Sequence, residues 1–436
     1  MGTGQQLYIK AKKKIPGGTQ LLSKRPEMFL PEQWPSYYSK VKGVEVWDLD
    51  GNRFIDMSHN AVGACILGAG DPEVDAAVKK AIEAGTMSTL NCPEEVELAE
   101  LLCDLHPWAE MVRYARSGGE AMTVAVRLAR AHTRRDVVAF CGYHGWHDWY
   151  LAANLSEKKA LDGHLLPGLE PAGVPRELVG TALAFRYNHL EGLNAIVAKY
   201  GSELAAIVME PIRDQDPAPG FLEGVRKIAV DIGAVLIIDE VSAGFRLITG
   251  GAHLRFNLEP DMAVFAKAIS NGYPMAAIIG RSAVMEAAQN SFISSTYWTE
   301  RIGPVAALAT IRKHKDHDVS SHLNRIGEMV QTGWRQAAEA SELSVEVGGI
   351  YPLSHFAIQN EQSQAAHTFF TQIMLGKGFL ASRAFYATYA HRDEHLESYL
   401  AAVREAFIMI AEALKSKNLM SKLQGPIAHA GFKRLT

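Results

Sequence analysis

Cysteine is scarce: four residues in 436, at positions 65, 92, 103 and 141, with no Cys-x-x-Cys pair among them. That scatter excludes a disulfide framework and makes a reducing cytoplasm the expected location. Charge of one sign is thin as well. Lys and Arg total 44 against 48 Asp and Glu, a formal net charge of -4, and the basic residues are dispersed. A polybasic surface for nucleic acid is therefore not expected. No apolar run approaches the roughly 18 residues of a membrane-spanning helix. The opening lacks an apolar signal core, and Gln6 stands where a myristoylation signal has Ser or Thr. Internal repeats, low-complexity tracts and linkers rich in Gly and Ser are missing too. What is present, 48% hydrophobic residues, suffices for a large core. At roughly 150 residues per domain, two or three domains, or one large α/β domain with an appendage, are expected.

The Lys-, Pro- and Gly-rich opening reads as a short helix and an irregular arm. Val44–Leu49 and Arg53–Asp56, flanking Asp50-Gly51-Asn52, then predict a hairpin. Helices are expected from Asp71 and from Pro93 to Cys103. Six apolar runs follow, each of strand length and spaced by helix-period segments: Met111–Ala115, Val137–Phe140, Ala205–Met209, Ala234–Ile238, Met262–Ala266 and Met275–Ile279. This βαβ rhythm predicts a sheet covered on both faces. The 150–190 stretch, which includes Leu165 and Leu166, reads as mostly loop and a candidate lid. Beyond 315, polar helices and short strands near 343–348, 353–358 and 385–389 precede a last helix over 394–415. The expected domains are an arm and hairpin over 1–65 packing with the small domain, a large domain over 66–315, and a small α+β domain over 316–436.

Ligands of open α/β sheets bind beyond the carboxyl ends of the strands, and there the residues are reactive in type. Ser117-Gly118-Gly119, entering a helix, offers backbone N–H groups to an anion, although such a turn is more often only a cap. Tyr143 and His144 follow the second run; Tyr143 is suited to lie on a planar ligand, or to pack beneath a loop. Glu210 follows the third run. Asp239 ends the fourth and, straight after five apolar residues, needs a partner. Lys267 ends the fifth, where burial would favour a nucleophilic free amine, unless it simply pairs with Asp239 or reaches solvent. An anion cradle, a flat aromatic, a buried carboxylate and a buried amine at one edge match the phosphate, ring, pyridine nitrogen and aldehyde of pyridoxal 5'-phosphate.

With Trp47–Asn52, Ser117–Ala121, Tyr143-His144-Gly145, Glu210-Pro211-Ile212, Asp239–Arg246 and Ala266-Lys267-Ala268 in this order, the chain resembles the class III aminotransferases, fold-type I enzymes of pyridoxal phosphate. The resemblance implies that fold: an α/β large domain with a mixed, mostly parallel sheet between helices, plus a smaller α+β domain. It implies that Lys267 holds the cofactor as a Schiff base, that Asp239 keeps the ring nitrogen protonated, and that Val241 backs the ring opposite Tyr143. Thr296 would reach the phosphate of a neighbouring subunit, so a homodimer with shared active sites is expected. Gln215 would lie near the ring in the place of a Glu or Asn, as would Glu210. Arg383 and His144 are candidates for substrate contact, Arg383 through the donor's carboxylate. Two departures stand out: Gly119 replaces the usual Ser or Thr, and Trp298–Pro304 replaces the Gly-Asn-Pro after Thr296. Asp239–Arg246 leans toward the glutamate-1-semialdehyde aminomutases. Residues 18–27, 88–93 and 164–169 look more like the enzymes that aminate sugars for surface polysaccharide, the 8-amino-3,8-dideoxy-manno-octulosonate (Kdo-type) aminotransferases. The expected reaction moves an amino group from a donor, glutamate, to a sugar carbonyl; the alternatives are the aminomutase and an amino-acid or ketone transaminase. His391-Arg392-Asp393-Glu394-His395 matches a short zinc-protease pattern at an expected helix start, and no metal is expected there. A cofactor-binding protein without activity is a further alternative, against which both Lys267 and Asp239 argue.

Overall fold

The computed structural model describes residues 1–156, 159–164, 167–212 and 214–431. Leu165 and Leu166 of the expected lid lie outside the described residues. Two compact units emerge: Pro72–Ser321, and Met1–Asp71 together with His322–Thr436.

The Pro72–Ser321 unit is built on one seven-stranded sheet. Its strands are β1 (Met111–Ala115), β2 (Val137–Cys141), β3 (Ala182–Ala184), β4 (Leu204–Met209), β5 (Val235–Asp239), β6 (Met262–Phe265) and β7 (Ala276–Gly280). They lie in the order β1-β7-β6-β5-β4-β2-β3. Every residue of β2, β4, β5, β6 and β7 is buried, which explains why these segments read as unbroken apolar runs rather than alternating ones. The helix Gly118–Thr133 buries Ala121, Met122, Val124, Ala125, Val126, Leu128 and Ala129, an apolar stripe at helical spacing that joins the core of the sheet.

One expectation needs correction. The βαβ rhythm does not extend to the sixth run: β7 is antiparallel to both β6 and β1. The link from Phe265 to Ala276 holds one short helical turn, Lys267–Ser270, too little chain for a parallel crossover. Among its described residues the stretch 150–190 is mostly loop, as expected, and it also carries Ala153–Ser156 and the edge strand β3, parallel to β2. Three residues are too short a run for periodicity to single out.

Because β7 reverses direction twice over, β1 runs the same way as β6, β5, β4 and β2. Their carboxyl ends, and hence Ser117, Tyr143, Glu210, Asp239 and Lys267, all emerge at one edge of the sheet.

In the other unit, Tyr38–Lys42, Glu45–Asp48 and Arg53–Met57 form antiparallel pairs. Phe379–Ala381 adds to Arg53–Met57 in parallel, tying the two ends of the chain into one sheet. Val345–Gly348, Leu353–Ile358 and Ala384–Tyr386 form a second. The core of this unit is aromatic: Trp334, Phe370 and Phe407 surround Phe356, and the Trp334 indole donates to the Tyr399 hydroxyl at 3.1 Å. Within it the zinc-like pattern is taken up by the backbone. His391 accepts the Thr388 N–H at Nδ1 and meets the Asp56 carbonyl at Nε2, and His395 accepts the Arg392 N–H. Among the described residues no helix is long and apolar enough to cross a membrane.

Candidate active site

The end of β5 places Asp239 3% exposed, directly after four buried aliphatic residues. Its Oδ1 accepts the Val241 N–H at 2.9 Å and its Oδ2 meets His144 Nδ1 at 2.7 Å. The other nitrogen of that ring, Nε2, lies 3.1 Å from the Cys141 carbonyl. His144, a candidate for substrate contact, is instead 1% exposed and spends both nitrogens on protein oxygens, so it orients Asp239. A carboxylate has acceptor capacity beyond two bonds. Asp239 can therefore take a further N–H donor such as a protonated ring nitrogen.

Lys267 opens the turn after β6 with φ +47°, the left-handed region that few residues with a Cβ occupy. Its ammonium donates to Ser242 Oγ at 2.8 Å. Ser242 follows Val241 on the chain leaving Asp239, so one short segment supplies a carboxylate, an apolar face and a hydroxyl partner for the lysine.

Ser117, in extended conformation, caps the helix Gly118–Thr133. The Glu120 carboxylate accepts the Arg116 and Ser117 N–H groups at 3.0 and 3.3 Å, fixing the turn and leaving the following amides to face an anion. Close packing explains the glycines. A Cβ on Gly118 would lie 2.9 Å from Val241 Cγ1, and one on Gly119 2.9 Å from the His147 ring. The turn and the expected ring-backing valine are thus pressed together, forming a cradle that side chains at 118 and 119 would fill. The donor set fits a phosphorylated heterocycle with a carbonyl group.

The Tyr143 loop is held from behind. Gly142 and Gly145 have φ of +114° and +104°. Glu210, 6% exposed, accepts the Tyr143 N–H at 3.2 Å, and a Cβ on Gly142 would come 2.6 Å from its Oε2. Glu210, expected at the ring, is thereby a brace for the loop that carries Tyr143. The Gly142 N–H donates to His164 Nδ1 at 3.1 Å, and burial lowers the pKa of this imidazole to about 4, which keeps that nitrogen an acceptor.

Gln215 is exposed and lines a cavity of about 850 Å³ with Glu210, Gly142, His164 and Tyr187. Lys267, Asp239 and Val241 are not among the described residues that line this cavity. Thr296 is exposed and opens the short turn Thr296–Thr299. That turn is clamped beside the anion loop of its own chain: the Trp298 indole donates to Glu120 at 3.1 Å, and Arg116 donates to the Trp298 and Glu300 carbonyls. Arg383, in the other unit, is exposed next to β-strand Ala384–Tyr386, and its carbonyl accepts the Phe356 N–H. Its positive charge adds to burial in holding His59 and His367 low, both at about 4.

Four contributors were assigned no role from sequence: Ser242, Glu120, Trp298, and His144 as partner of Asp239. Ser242 was within reach, because it sits on the same short segment as Asp239. Glu120 was within reach too, since Ser117-x-x-Glu120 has the spacing of a capping box, whereas the contacts of Trp298 and His144 depend on which strands and loops are neighbours.

A family model described as Aminotransferase class-III matches residues 31–406. The chain is 30% identical over 427 residues to a 3-aminobutyryl-CoA aminotransferase from Cloacimonas acidaminovorans, covering 95% of this chain and 99% of that protein. It is 33% identical over 426 residues to a glutamate-1-semialdehyde 2,1-aminomutase from Desulforudis audaxviator, covering 92% and 96%. In fold it is similar to the pyridoxal-phosphate form of the FumI protein from Sphingopyxis sp., with a TM-score of 0.86, 23% identity and coverage of 95% and 98%. An omega-transaminase from Sphaerobacter thermophilus gives 0.83 at 24% identity, covering 94% and 98%. With a family match over most of its length and relatives at this identity running nearly end to end, the chain belongs to the class III aminotransferases, enzymes that work with pyridoxal 5'-phosphate.

Proposed function

We propose that Lys267 bonds the carbonyl carbon of the cofactor and moves the proton in transamination, that Asp239 pairs with the ring nitrogen, and that Tyr143, Val241 and Ser117–Gly119 hold the ring and phosphate. The observation that carries this reading is the convergence of Asp239, with its His144 and Val241 N–H partners, and Lys267, with Ser242, at one sheet edge. When bound, the cofactor supplies an electron sink for the carbon that loses its proton. The chain does the rest. Lys267 Nζ would hold the carbonyl carbon of the cofactor and, once freed by a donor amine, would be the base that moves the proton from the donor's carbon. Ser242 Oγ orients Nζ for both duties. Asp239 would pair with the ring nitrogen and favour its protonated form, so that negative charge can be accepted there. Asp239→Asn keeps the shape and loses the charge; kcat is expected to fall about 10²- to 10³-fold while cofactor stays attached. A loss below threefold would show the ring nitrogen does not depend on this carboxylate.

We infer that glutamate is the donor and that the acceptor carbonyl lies away from a carboxylate carbon, on a Kdo-type octulosonate sugar. Residues 18–27, 88–93 and 164–169 favour a sugar acceptor. The name of the 3-aminobutyryl-CoA relative also places its amine off the α-carbon. The aminomutase relative at 33% identity favours a second reading, in which glutamate semialdehyde is the substrate. A half-reaction screen separates them: cofactor is loaded with amine from glutamate, then offered keto acids, glutamate semialdehyde and sugar aldehydes one at a time. Turnover of the sugar aldehyde is expected to be fastest; rapid turnover of glutamate semialdehyde alone would replace the sugar reading with the aminomutase. Thr296 is proposed to serve the neighbouring active site of a homodimer, and light scattering at the mass of one chain would refute that.

A further inference from the structure

At the mouth of the anion cradle one buried polar atom stands apart from the hydrogen bonds described so far. His147 Nδ1 is buried and, among the described residues, has no hydrogen-bond partner. A buried polar atom without a partner is unfavourable. Its position is specific. An ideal Cβ built on Gly119 falls 2.9 Å from both Nδ1 and Cε1 of His147, so the imidazole fills the volume into which a side chain at 119 would project. The chain leading to His147 is drawn against the cradle by Gly145, whose φ is +104° and whose Cβ would stand 3.2 Å from the Gly119 Cα. The ring is steadied on its face by Trp146, with centroids 4.3 Å apart and planes 21° from parallel.

We propose that His147 is a side-chain ligand of the cofactor's phosphate, supplying from the neighbouring loop the hydrogen bond that Gly119, having no hydroxyl, does not make. Serine and threonine present a donor from the helix's own first turn; here the glycine clears the space and the imidazole enters it from the side. Burial lowers the imidazole's pKa, with Glu120 and Asp148 acting in the opposite direction, so the ring is kept neutral until an anion arrives, and Nδ1–H is then its donor. Glu120 does not compete for that donor in the structure: its carboxylate already accepts from Arg116, Ser117 and Trp298.

The inference rests on the cofactor lying at this edge, and its test compares two ligands that differ only in the phosphate. Full-length protein stripped of cofactor is titrated with pyridoxal 5'-phosphate and with pyridoxal, following the visible band of the bound ligand. His147→Ala is expected to weaken the phosphorylated ligand about tenfold, the usual order for a hydrogen bond to a charged group, and to leave pyridoxal within twofold. Gly119→Ser alone is expected to weaken the phosphorylated ligand as well, because its Cβ meets the imidazole. The double variant Gly119→Ser with His147→Ala, in which the hydroxyl has the space, is expected to bind it more tightly than either single variant. Equal losses for both ligands in His147→Ala, or no loss for either, would assign the ring to packing and overturn the proposal. Wild-type protein that took up neither ligand would overturn the placement of the cofactor, His147 included.

Discussion

Replacing Lys267 with alanine is expected to lower transamination by about 10⁴-fold, the upper range for loss of a positioned proton-transfer group, because the same nitrogen is proposed to tether the cofactor and to move the proton. The physical basis is its position: Nζ stands 2.8 Å from Ser242 Oγ, on the turn that follows β6, beside the strand that ends in Asp239. Lys267→Arg separates charge from chemistry, since it keeps a cation at the site but cannot bond a carbonyl carbon, and the same loss is expected. Borohydride reduction followed by mass measurement checks the tether: the wild-type chain should carry one cofactor adduct at residue 267 and neither variant any. An adduct on another lysine would transfer the role elsewhere. Since φ at this position is +47°, alanine remains mildly strained there, and a melting curve recorded alongside will show whether folding is kept.

Mild acid is expected to destabilise the protein by several kcal/mol between pH 7 and pH 5, because buried imidazoles resist the protons that the unfolded chain accepts. Four histidines, two in each unit, combine an exposure of at most 8% with a depressed pKa whose largest cause is burial. His106, His314 and His367 are lowered to about 4, and His391 to about 3. Several of their nitrogens are fixed by partners that need a neutral ring: His106 accepts the Gly251 N–H and His391 the Thr388 N–H. The unfolded chain takes up protons on these rings near pH 6.5, whereas the folded chain takes them up only near pH 4 or below. Their contribution is therefore complete above pH 6.5 and is lost as pH falls toward 4. Asp56 works the other way, since burial raises its pKa to about 6 and the folded state regains stability as that carboxyl protonates. One carboxyl against four imidazoles leaves the sign unchanged. At about 1.4 kcal/mol for each tenfold change in proton affinity, even a heavily discounted sum is a large part of a marginal folding free energy. Urea midpoints measured from pH 7.5 to 5 should fall steadily, and a flat profile would mean that these rings already carry charge in the folded protein.

Much of the site was legible because each strand announces itself locally. Five buried apolar residues followed by an Asp, or by a Lys, cannot be a surface feature, so Asp239 and Lys267 stand out without knowledge of any neighbour. The turn at Ser117–Gly119 was legible for the same reason, glycines entering an amphipathic helix. His144 was not. It leaves β2 while Asp239 ends β5, and β4 lies between them, so their 2.7 Å contact depends on a sheet order that no local pattern encodes.

The sequence by itself determined six of the seven strands of the large sheet, the residues that stand at their ends, and through those residues the family and its cofactor. These follow from short-range constraints: apolar runs too continuous for a surface, and ionisable groups that burial forbids without partners. The tertiary structure alone decided that β7 runs antiparallel, so that β1 and its anion turn arrive at the same edge as Lys267, and that His144 and His147 fill the spaces beside Asp239 and Gly119. Those outcomes are set by how whole strands and loops pack against one another, where contact is made across tens to about a hundred residues of chain and only the complete core fixes the neighbours.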